Sequence, residues 1–444
     1  MNKIQLATNI VVLLLVATGL SAQENAKLTL SIDAAKEYAL QHNKMIKGSK
    51  YDVQAAEMTK WEVISAGLPR VDGSASLMDN LKLMTTLLPG EFFGQPGVKI
   101  PVQFGSKYNT GYGMQATQLL FNAPYFVGIQ TVKLAEKLSL QALEKSEIDV
   151  KEMLINTYYL ILISEESLVV MNETMINLNK VYESTKAMNS VGMAEITDVD
   201  QMHSNVNMLK SNISSLERNL ELSYNLLRFQ LGVGMETEIE LTTTLEVILT
   251  STDIFSVLDL EFDLRNNIDF RLLKGREDIQ ALNLKNEKAS LLPTLSAFYQ
   301  WNRNGMGDKL NDQQWFPNSM LGFQLSVPIF ASGQRYSRIK KAQINLERAQ
   351  TSKNMVSDQL ELSEKQLRYN MINAREQFNT RKENVEVAMR VYNSIENKYR
   401  EGIASSLDLT QAHNNFLQAQ NGLFTAIMDL LQTKLALDKL LNNI

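Results

Sequence analysis

The chain has 444 residues, 44 Lys and Arg against 49 Asp and Glu, and a formal net charge of −5, a balance too mild to imply a nucleic-acid partner. It contains no cysteine, which excludes disulfides, thiolate metal sites and cysteine catalysis. Only 8 prolines and 21 glycines interrupt the sequence, and so few breakers predict long helices with short connections.

The first 22 residues have the pattern of a secretory signal peptide. Lys3 supplies the positive start, Ile10 to Ala17 form the apolar centre, and Ser21-Ala22 precede the expected cleavage site. The apolar run is too short for a membrane anchor, which needs about 20 residues. We therefore expect export. Beyond the leader we expect no membrane-spanning helix, so that a position in a membrane would require strands.

The remainder reads as an internal duplication. Gly192-Met193-Ala194 and Gly402-Ile403-Ala404 begin two stretches that share Asp, Gln, His and Asn at the same spacing, 210 positions apart. Leu68-Pro69 likewise corresponds to Leu292-Pro293, 224 positions later. Order, spacing and identity are kept together, which indicates two repeats, 23–232 and 257–444, joined by a connecting segment over 233–256.

Each repeat predicts the same series of elements. In the first we expect a helix over 31–66, strands over 70–81 and 108–121 around a loop at 82–107, a long helix over 123–190, and a return helix over 196–231. In the second we expect a helix over 257–290, strands over 293–302 and 319–329, a long helix over 334–400, and a return helix over 405–441. The long helices would each extend about 100 Å, and heptad spacing in the return helices predicts coiled-coil packing.

The four predicted strands alternate apolar and polar residues, as in Leu321, Phe323, Leu325 and Val327. Such a pattern fits a small soluble sheet packed on helices, or strands that cross a membrane at a tilt. Four strands cannot close a barrel, and an open edge is not viable in lipid, so the membrane interpretation requires several chains. Three chains would give one shared barrel of 12 strands. Aromatic residues near the strand ends would then form an interfacial girdle: Tyr108, Tyr112, Trp301, Trp315 and Phe316.

The glycine-containing turns, Val191 to Asp200 and Tyr399 to Asp408, resemble the helix–helix turns of the TolC family of outer-membrane efflux proteins. Val327 to Gly333 is similar to the family's strand-to-helix corner, and Leu68-Pro69 to its helix-to-strand corner. The resemblance covers essentially the whole mature length.

The resemblance implies a mainly α protein with a membrane β part: a homotrimer whose β-barrel, with four strands from each chain, lies in the outer membrane and continues as a coiled-coil helical barrel in the periplasm. It also implies a periplasmic adaptor (a membrane fusion protein), an inner-membrane transporter, no cofactor and no enzymatic activity. The expected function is a passive exit duct for small molecules. A duct for type I protein secretion and a soluble periplasmic scaffold or adaptor are the alternatives.

Several residues of the turns acquire candidate roles from the resemblance. Asp408 falls where the family narrows its periplasmic entrance with an acidic ring, although a helix N-cap explains an aspartate there equally well. Family members often carry a second aspartate at the position of Gln411 and a basic residue at Ala404, which this chain lacks. Asp198 and Tyr399 fall where family residues hydrogen-bond between hairpins to hold the entrance shut. An exposed acid and a half-buried aromatic residue are the simpler interpretation.

The turns themselves would lie at the periplasmic tip. We expect six residues there to dock the adaptor: Val191, Gly192, Met193, Glu401, Gly402 and Ile403. Plain turn chemistry is the alternative for the glycines. His42, His203 and His413 show no metal-ligand spacing, and we interpret them as structural or solvated.

Overall fold

The computed structural model of the protein describes residues 27–251 and 256–444, so the signal peptide expected over 1–22 lies outside the described residues. The described residues fall into two compact units. The first lies within Met1–Tyr51, Gln141–Arg271 and Met355–Ile444, and the second within Asp52–Leu140 and Leu272–Asn354.

Helices account for most of the described chain. They are α1 (Ile32–His42), α2 (Lys44–Ser65), α3 (Ala123–Ser190), α4 (Ile196–Leu231), α5 (Leu245–Ser251), α6 (Ile268–Ala289), α7 (Gln334–Arg400) and α8 (Ser406–Leu440). The two longest, α3 and α7, have 68 and 67 residues, which corresponds to about 100 Å each. Short 3₁₀ turns lie at Gly90–Phe93, Ser256–Asp259 and Leu264–Asn266.

Two of the helices predicted from the sequence are interrupted. The helix expected over 31–66 is split at Asn43, which separates α1 from α2, and the helix expected over 257–290 begins only at Ile268, after Asn267. Both asparagines are buried. The Asn43 amide donates to the Gln230 carbonyl at 2.6 Å, and its Oδ1 accepts from the Met45 amide at 2.8 Å.

The second asparagine repeats this arrangement 224 positions later. The Asn267 amide donates to the Leu440 carbonyl at 3.1 Å, and its Oδ1 accepts from the Asp269 amide at 3.0 Å. Each asparagine therefore caps the helix that follows it and ties that helix to the end of a return helix. These distant contacts end the preceding segment at a position where the sequence pattern continues.

The largest apolar cluster lies in the first unit. It joins α3 with α1, α4 and α8 through fully buried side chains such as Leu154, Ala35, Leu227 and Leu431. Beside it, β1 (Leu28–Leu30) pairs in parallel with β6 (Ile239–Leu241), so the connecting segment expected over 233–256 contains a strand and α5. The Tyr158 hydroxyl, buried in the cluster, donates to the Leu30 carbonyl at 3.2 Å and fixes this strand pair to α3.

The sequence predicted no membrane-spanning helix beyond the leader, and one described helix has the length and composition of such a span. Among the described helices, α3 contains an 18-residue window with a mean hydropathy of 1.3, of which 56% is buried. The core cluster takes a run of α3 residues from Val150 to Ile163. That packing accounts for the apolar composition, because the same side chains fill the interior of the first unit.

The second unit contains a four-stranded antiparallel sheet in the order β2-β5-β7-β8, with two strands from each repeat. The strands are β2 (Arg70–Asp79), β5 (Tyr108–Asn122), β7 (Thr294–Lys309) and β8 (Asp312–Ser326). A separate hairpin of β3 (Met84–Pro89) and β4 (Lys99–Phe104) occupies the loop expected over 82–107.

The strands of the second repeat extend further than the sequence predicts. The ranges 293–302 and 319–329 were expected, whereas pairing continues from Arg303 opposite Pro317 to Lys309 opposite Asp312. Most of the added residues are polar or glycine, and Met306, Trp315, Phe316 and Pro317 do not form an apolar alternation, so the pattern does not mark them. Backbone hydrogen bonds between adjacent strands form without regard to that alternation, and the register carries the hairpin to a tight turn at 310–311.

Candidate functional site

Each long helix ends in a glycine turn of the same geometry. Gly192 and Gly402 have φ angles of 79° and 73°, in the left-handed region that glycine adopts without strain. After α7, the Ile403 amide donates to the Lys398 carbonyl at 2.8 Å and the Gly402 amide to the Tyr399 carbonyl at 2.9 Å. The corresponding pair of bonds follows α3, and both turns are therefore Schellman motifs that reverse the chain into a return helix.

The turns expose apolar side chains. Met193 and Ile403 follow the two glycines, a position whose apolar residue usually packs on the preceding helical turn, yet they are 77% and 71% exposed. Val191 is 70% exposed, and Glu401 is also exposed. The residues expected at the tip are thus on the surface of the first unit, and the Schellman geometry alone does not require their apolar character.

The aspartates after the turns act as helix caps. Asp198 accepts from the Glu195 amide at 3.0 Å, and Asp408 accepts from both the amide and the hydroxyl of Ser405, at 3.0 and 2.7 Å. The Ser405 hydroxyl in turn accepts from the Asp408 amide at 3.1 Å, which completes a capping box. The Ser405 side chain, and then its backbone, lower the pKa of Asp408, which keeps this exposed carboxyl charged.

On the side of the two turns, three hydrogen bonds join the hairpin of α3 and α4, called hairpin one, to the hairpin of α7 and α8, called hairpin two. The Ser406 hydroxyl donates to the Asp198 carboxylate. The Thr185 and Tyr399 hydroxyls share a bond of 2.8 Å, and the Asn205 amide donates to the Thr410 hydroxyl at 3.1 Å. We call these three bonds the hairpin ladder.

The ladder includes Asp198 and Tyr399, the two residues at positions where the resemblance implies bonds between hairpins. Asp198 and Tyr399 each bond across the hairpins, but to Ser406 and Thr185 rather than to each other. Tyr399 is 7% exposed, more buried than the half-buried aromatic residue considered from the sequence. Thr185 and Ser406 were missed, because a threonine within a long helix and a serine beside a cap carry no signal of a distant partner.

A tyrosine–histidine pair is repeated in the two hairpins. His203 stacks on Tyr182 with ring centroids 5.5 Å apart, and His413 lies 5.7 Å from Tyr392. His203 is exposed, whereas His413 is 3% exposed and its Nδ1 has no hydrogen-bond partner. Burial lowers the pKa of His413 to about 4. His42 stacks on Tyr38, and no group of metal-ligating side chains occurs within 27–251 and 256–444.

The sheet of the second unit has one apolar and one polar face. Residues paired directly across antiparallel strands project to the same side, and the register places the apolar members of all four alternations together. This face, called the apolar face, carries Val71, Ala75, Leu77, Tyr112, Met114, Ala116, Leu295, Ala297, Tyr299, Leu321, Phe323 and Leu325. Its edge residues are strongly exposed, with Phe323 at 71%. Ser, Asn, Gln and Gly predominate on the other face.

Four of the five aromatic residues predicted for the girdle lie on the apolar face. Tyr112 has its ring centroid 6.0 Å from that of Trp301 and 5.4 Å from that of Trp315, and Tyr108 lies four positions from Tyr112 on the same strand. Phe316 does not belong to this group. It pairs with Asn304 on the polar face, because successive residues of a strand point to opposite sides and Trp315 already faces the other way.

Strands β2 and β8 end the sheet, so each leaves one edge of its backbone unpaired within the described chain. The two strands have 10 and 15 residues. Long exposed edges next to an apolar face are rare in soluble monomers, because they promote pairing with further chains. The sheet therefore has the chemical character of part of a larger closed structure.

The chain is similar in sequence to known efflux proteins of the outer membrane. Residues 264–443 match the family model described as Outer membrane efflux protein. The chain is 25% identical over 341 residues to the probable efflux pump outer membrane protein TtgC of Pseudomonas putida, and equally to the antibiotic efflux pump outer membrane protein ArpC of Pseudomonas putida. Each alignment covers 72% of this chain and 65% of the relative, slightly less than two thirds of its length.

Solved structures share the fold over nearly the whole chain. The outer membrane protein VceC from Vibrio cholerae has a TM-score of 0.73 at 15% identity, covering 92% of this chain and 95% of that protein. The Campylobacter jejuni CmeC outer membrane channel has a TM-score of 0.70 at 17% identity, covering 95% and 86%. The TolC-like fold expected from the sequence is confirmed.

The buried His413 predicts an acid sensitivity of the first unit. A base whose pKa is about 4 when folded and near 6.5 when unfolded stabilises the fold fully above pH 6.5, and this contribution is lost as the pH falls towards 4. The loss amounts to about 3 kcal/mol per chain. We expect thermal melting in detergent, followed by circular dichroism, to show a steeper fall between pH 6.5 and 4 for the natural protein than for His413→Leu.

The repeat-related histidine supplies the control. His203→Leu should keep the pH dependence of the natural protein, because His203 is exposed. Equal slopes for all three proteins would contradict the burial of a neutral His413.

Proposed function

We propose that this chain, a member of the TolC-like outer membrane efflux protein family, is one subunit of a homotrimeric duct through which small molecules leave the periplasm. The single observation that supports it most is the four-stranded sheet, which combines an exposed apolar face with two unpaired edges. The relatives TtgC and ArpC are efflux pump outer membrane proteins by description, which favours small-molecule efflux over protein secretion.

The strand count requires more than one chain, and the trimer is the assembly that the family resemblance implies. Barrels that cross an outer membrane have at least about eight strands, and all of their edges are paired. One chain provides four, so β2 of one subunit pairs with β8 of the next and three subunits close a barrel of 12 strands. The apolar face then meets lipid, with Tyr108, Tyr112, Trp301 and Trp315 at the interface, and the polar face lines the water-filled interior.

The duct performs no chemistry, and its residues act through shape and charge. Hairpins one and two form the wall of the helical barrel in the periplasm, and the turns at Gly192 and Gly402 form its tip. One Asp408 from each subunit surrounds the entrance, where three carboxylates favour cations and oppose anions. Within each chain the hydrogen bonds from Ser405 lower the pKa of Asp408, which favours the charged form of its carboxyl. Gln411, where many relatives carry an acid, donates to Asn415 at 2.9 Å and leaves the ring with a single carboxylate from each chain.

A periplasmic adaptor binds the tip and joins the duct to an inner-membrane transporter, which supplies the energy and selects the cargo. Exposed Val191, Met193 and Ile403 provide the apolar contact, flanked by Glu401 and by turns whose backbone is fixed by glycine. Aliphatic side chains on rigid turns suit docking against the apolar side of a helical hairpin.

The proposal as a whole is tested on the full-length protein. We expect it to sediment with the outer membrane of a Gram-negative host, to show the mass of three chains by native mass spectrometry in mild detergent, and to conduct ions in a planar bilayer. A stable single subunit that remains in solution without detergent or lipid would overturn the duct and favour the soluble scaffold.

The hairpin ladder predicts a gate. Tyr399→Phe combined with Asp198→Ala removes the bonds to Thr185 and Ser406 and leaves the one between Asn205 and Thr410. Two hydrogen bonds of about 1 kcal/mol each correspond to a shift on the order of 30-fold towards an open entrance. We expect a higher single-channel conductance in planar bilayers.

The matched control removes the same atoms elsewhere on hairpin two. Tyr369 and Asp358 are exposed on α7, and Tyr369→Phe with Asp358→Ala should leave the conductance of the natural protein unchanged. If the ladder variant conducts no better than this control, the ladder does not restrict the entrance.

We expect substitutions in the exposed turns to abolish adaptor docking and to leave the duct intact. In Met193→Asp with Ile403→Asp, charges replace the apolar contact, and cells should accumulate an efflux substrate such as a fluorescent dye about as strongly as cells without the protein. Met193→Leu with Ile403→Leu should retain efflux. Native mass and bilayer conductance should stay unchanged in both variants, and normal efflux by the aspartate variant would exclude adaptor docking at these residues.

A further inference from the structure

A glutamine–asparagine pair occurs in the same place on both return helices. Gln201 donates to Asn205 on α4 at 3.3 Å, and Gln411 donates to Asn415 on α8 at 2.9 Å, 210 positions later. The Asn205 amide continues across to Thr410 on α8 and is buried. Asn415 is exposed, and in the part of the chain that the structure describes its amide nitrogen has no acceptor. One of two equivalent donors is therefore matched and the other is not.

The residues on the acceptor side also differ in exposure between the two hairpins. Thr410 and His413 lie three residues apart on one side of α8 and are 7% and 3% exposed, because α4 covers that side where Asn205 bonds to Thr410. Their repeat counterparts on α4 are Asp200 and His203, and both are exposed. One complete contact between return helices thus lies inside the chain. The two halves of a second such contact, Asn415 on α8 and Asp200 with His203 on α4, are displayed on the surface.

We propose that a second copy of this chain completes this contact: Asn415 of one protomer donates its amide to Asp200 of the next, and the same packing covers His203. The donor and acceptor are chemically matched, because Gln411 occupies the Asn415 oxygen and leaves its nitrogen facing a carboxylate. The inference rests on the proposed trimer and goes beyond it by naming the residues at the subunit boundary in the periplasmic part.

The proposed contact can repeat from chain to chain and form a closed ring. Each chain carries one unmatched donor and one unmatched acceptor on different helices, which defines a head-to-tail interface, and such interfaces form a ring when the rotation closes. Three chains place six hairpins in a ring, in which contacts within chains alternate with contacts between chains. A return helix of hairpin one then meets a return helix of hairpin two at every boundary.

The proposed contact between chains does not reproduce the whole hairpin ladder. The counterpart of Ser406 is Ile196, which cannot donate to a carboxylate, and the counterparts of Thr185 and Tyr399 are Ile395 and Asn189. The other two bonds of the hairpin ladder are therefore absent between chains. The level of Asn415 and Asp200 is the place where sequence and structure specify a polar contact between subunits.

The cysteine-free chain allows a direct test by cross-linking. The double variant Asp200→Cys with Asn415→Cys, treated in membranes with a short bismaleimide, should give covalent dimers and trimers on a denaturing gel. The matched control is Asn205→Cys with Thr410→Cys, which places the same chemistry on the contact inside the chain and should link without any intermolecular product. Each single-cysteine variant should remain monomeric on the gel.

A second pair of variants does not depend on cysteine. Asn415→Asp sets a carboxylate against Asp200 and should lower the melting temperature of the trimer, and adding Asp200→Asn should restore it by exchanging the two groups. Multimers from the cysteine pair, or this reciprocal rescue, support the interface.

The outcomes separate the inference from the duct. A trimeric native mass with neither intermolecular links nor rescue, while the control pair links within the chain, would overturn the interface and leave the proposed function standing. A monomeric native mass would remove both.

Discussion

The constraint on which the rest of the structure depends is the unpaired backbone at both edges of the four-stranded sheet. Each edge presents N–H and C=O groups, and transferring one of them out of water without a hydrogen-bond partner costs several kcal/mol. The adjoining apolar face is itself unfavourable in water. The edge pairing between sister subunits that we propose would resolve both conditions at once. Strand number, apolar face and aromatic placement are consistent with this one requirement.

The two helical hairpins of the chain share the same local chemistry. Both hairpins carry a glycine turn, a capping aspartate, a tyrosine–histidine pair and a glutamine–asparagine pair at the same spacing. Identical local chemistry nevertheless has different surroundings, since hairpin two is covered on one side by hairpin one. His413 and His203 show the consequence most clearly. The same residue in the same motif has a pKa of about 4 when buried at position 413 and lies exposed at position 203.

The hydrogen bonds of the hairpin ladder use neutral groups for the most part, whereas Lys439 on α8 forms ion pairs with Asp149 and Glu152 on α3 further along. Thr185 with Tyr399 and Asn205 with Thr410 are hydroxyl and amide pairs, and both are buried. Asp198 with Ser406 involves one charge. Salt screens such contacts much less than it screens exposed ion pairs. The chain has no basic residue at Ala404 and no second acid at Gln411, and on this side of the turns the hairpins are joined by hydrogen bonds within the chain.

The sequence by itself determined the features that depend on neighbouring residues. Uninterrupted helix formers predicted the spans later occupied by α3 and α7, glycine followed by a cap predicted the two turns, and alternation identified the apolar side of each strand. The tertiary structure alone decided the breaks at Asn43 and Asn267, the extension of β7 and β8, the polar side for Phe316, and Thr185 as the partner of Tyr399. The physical reason is the separation in sequence between the residues that interact. A helix or an alternating strand is set by side chains a few positions apart, whereas these other features rest on hydrogen bonds and strand pairs between segments whose separation in sequence leaves no local trace.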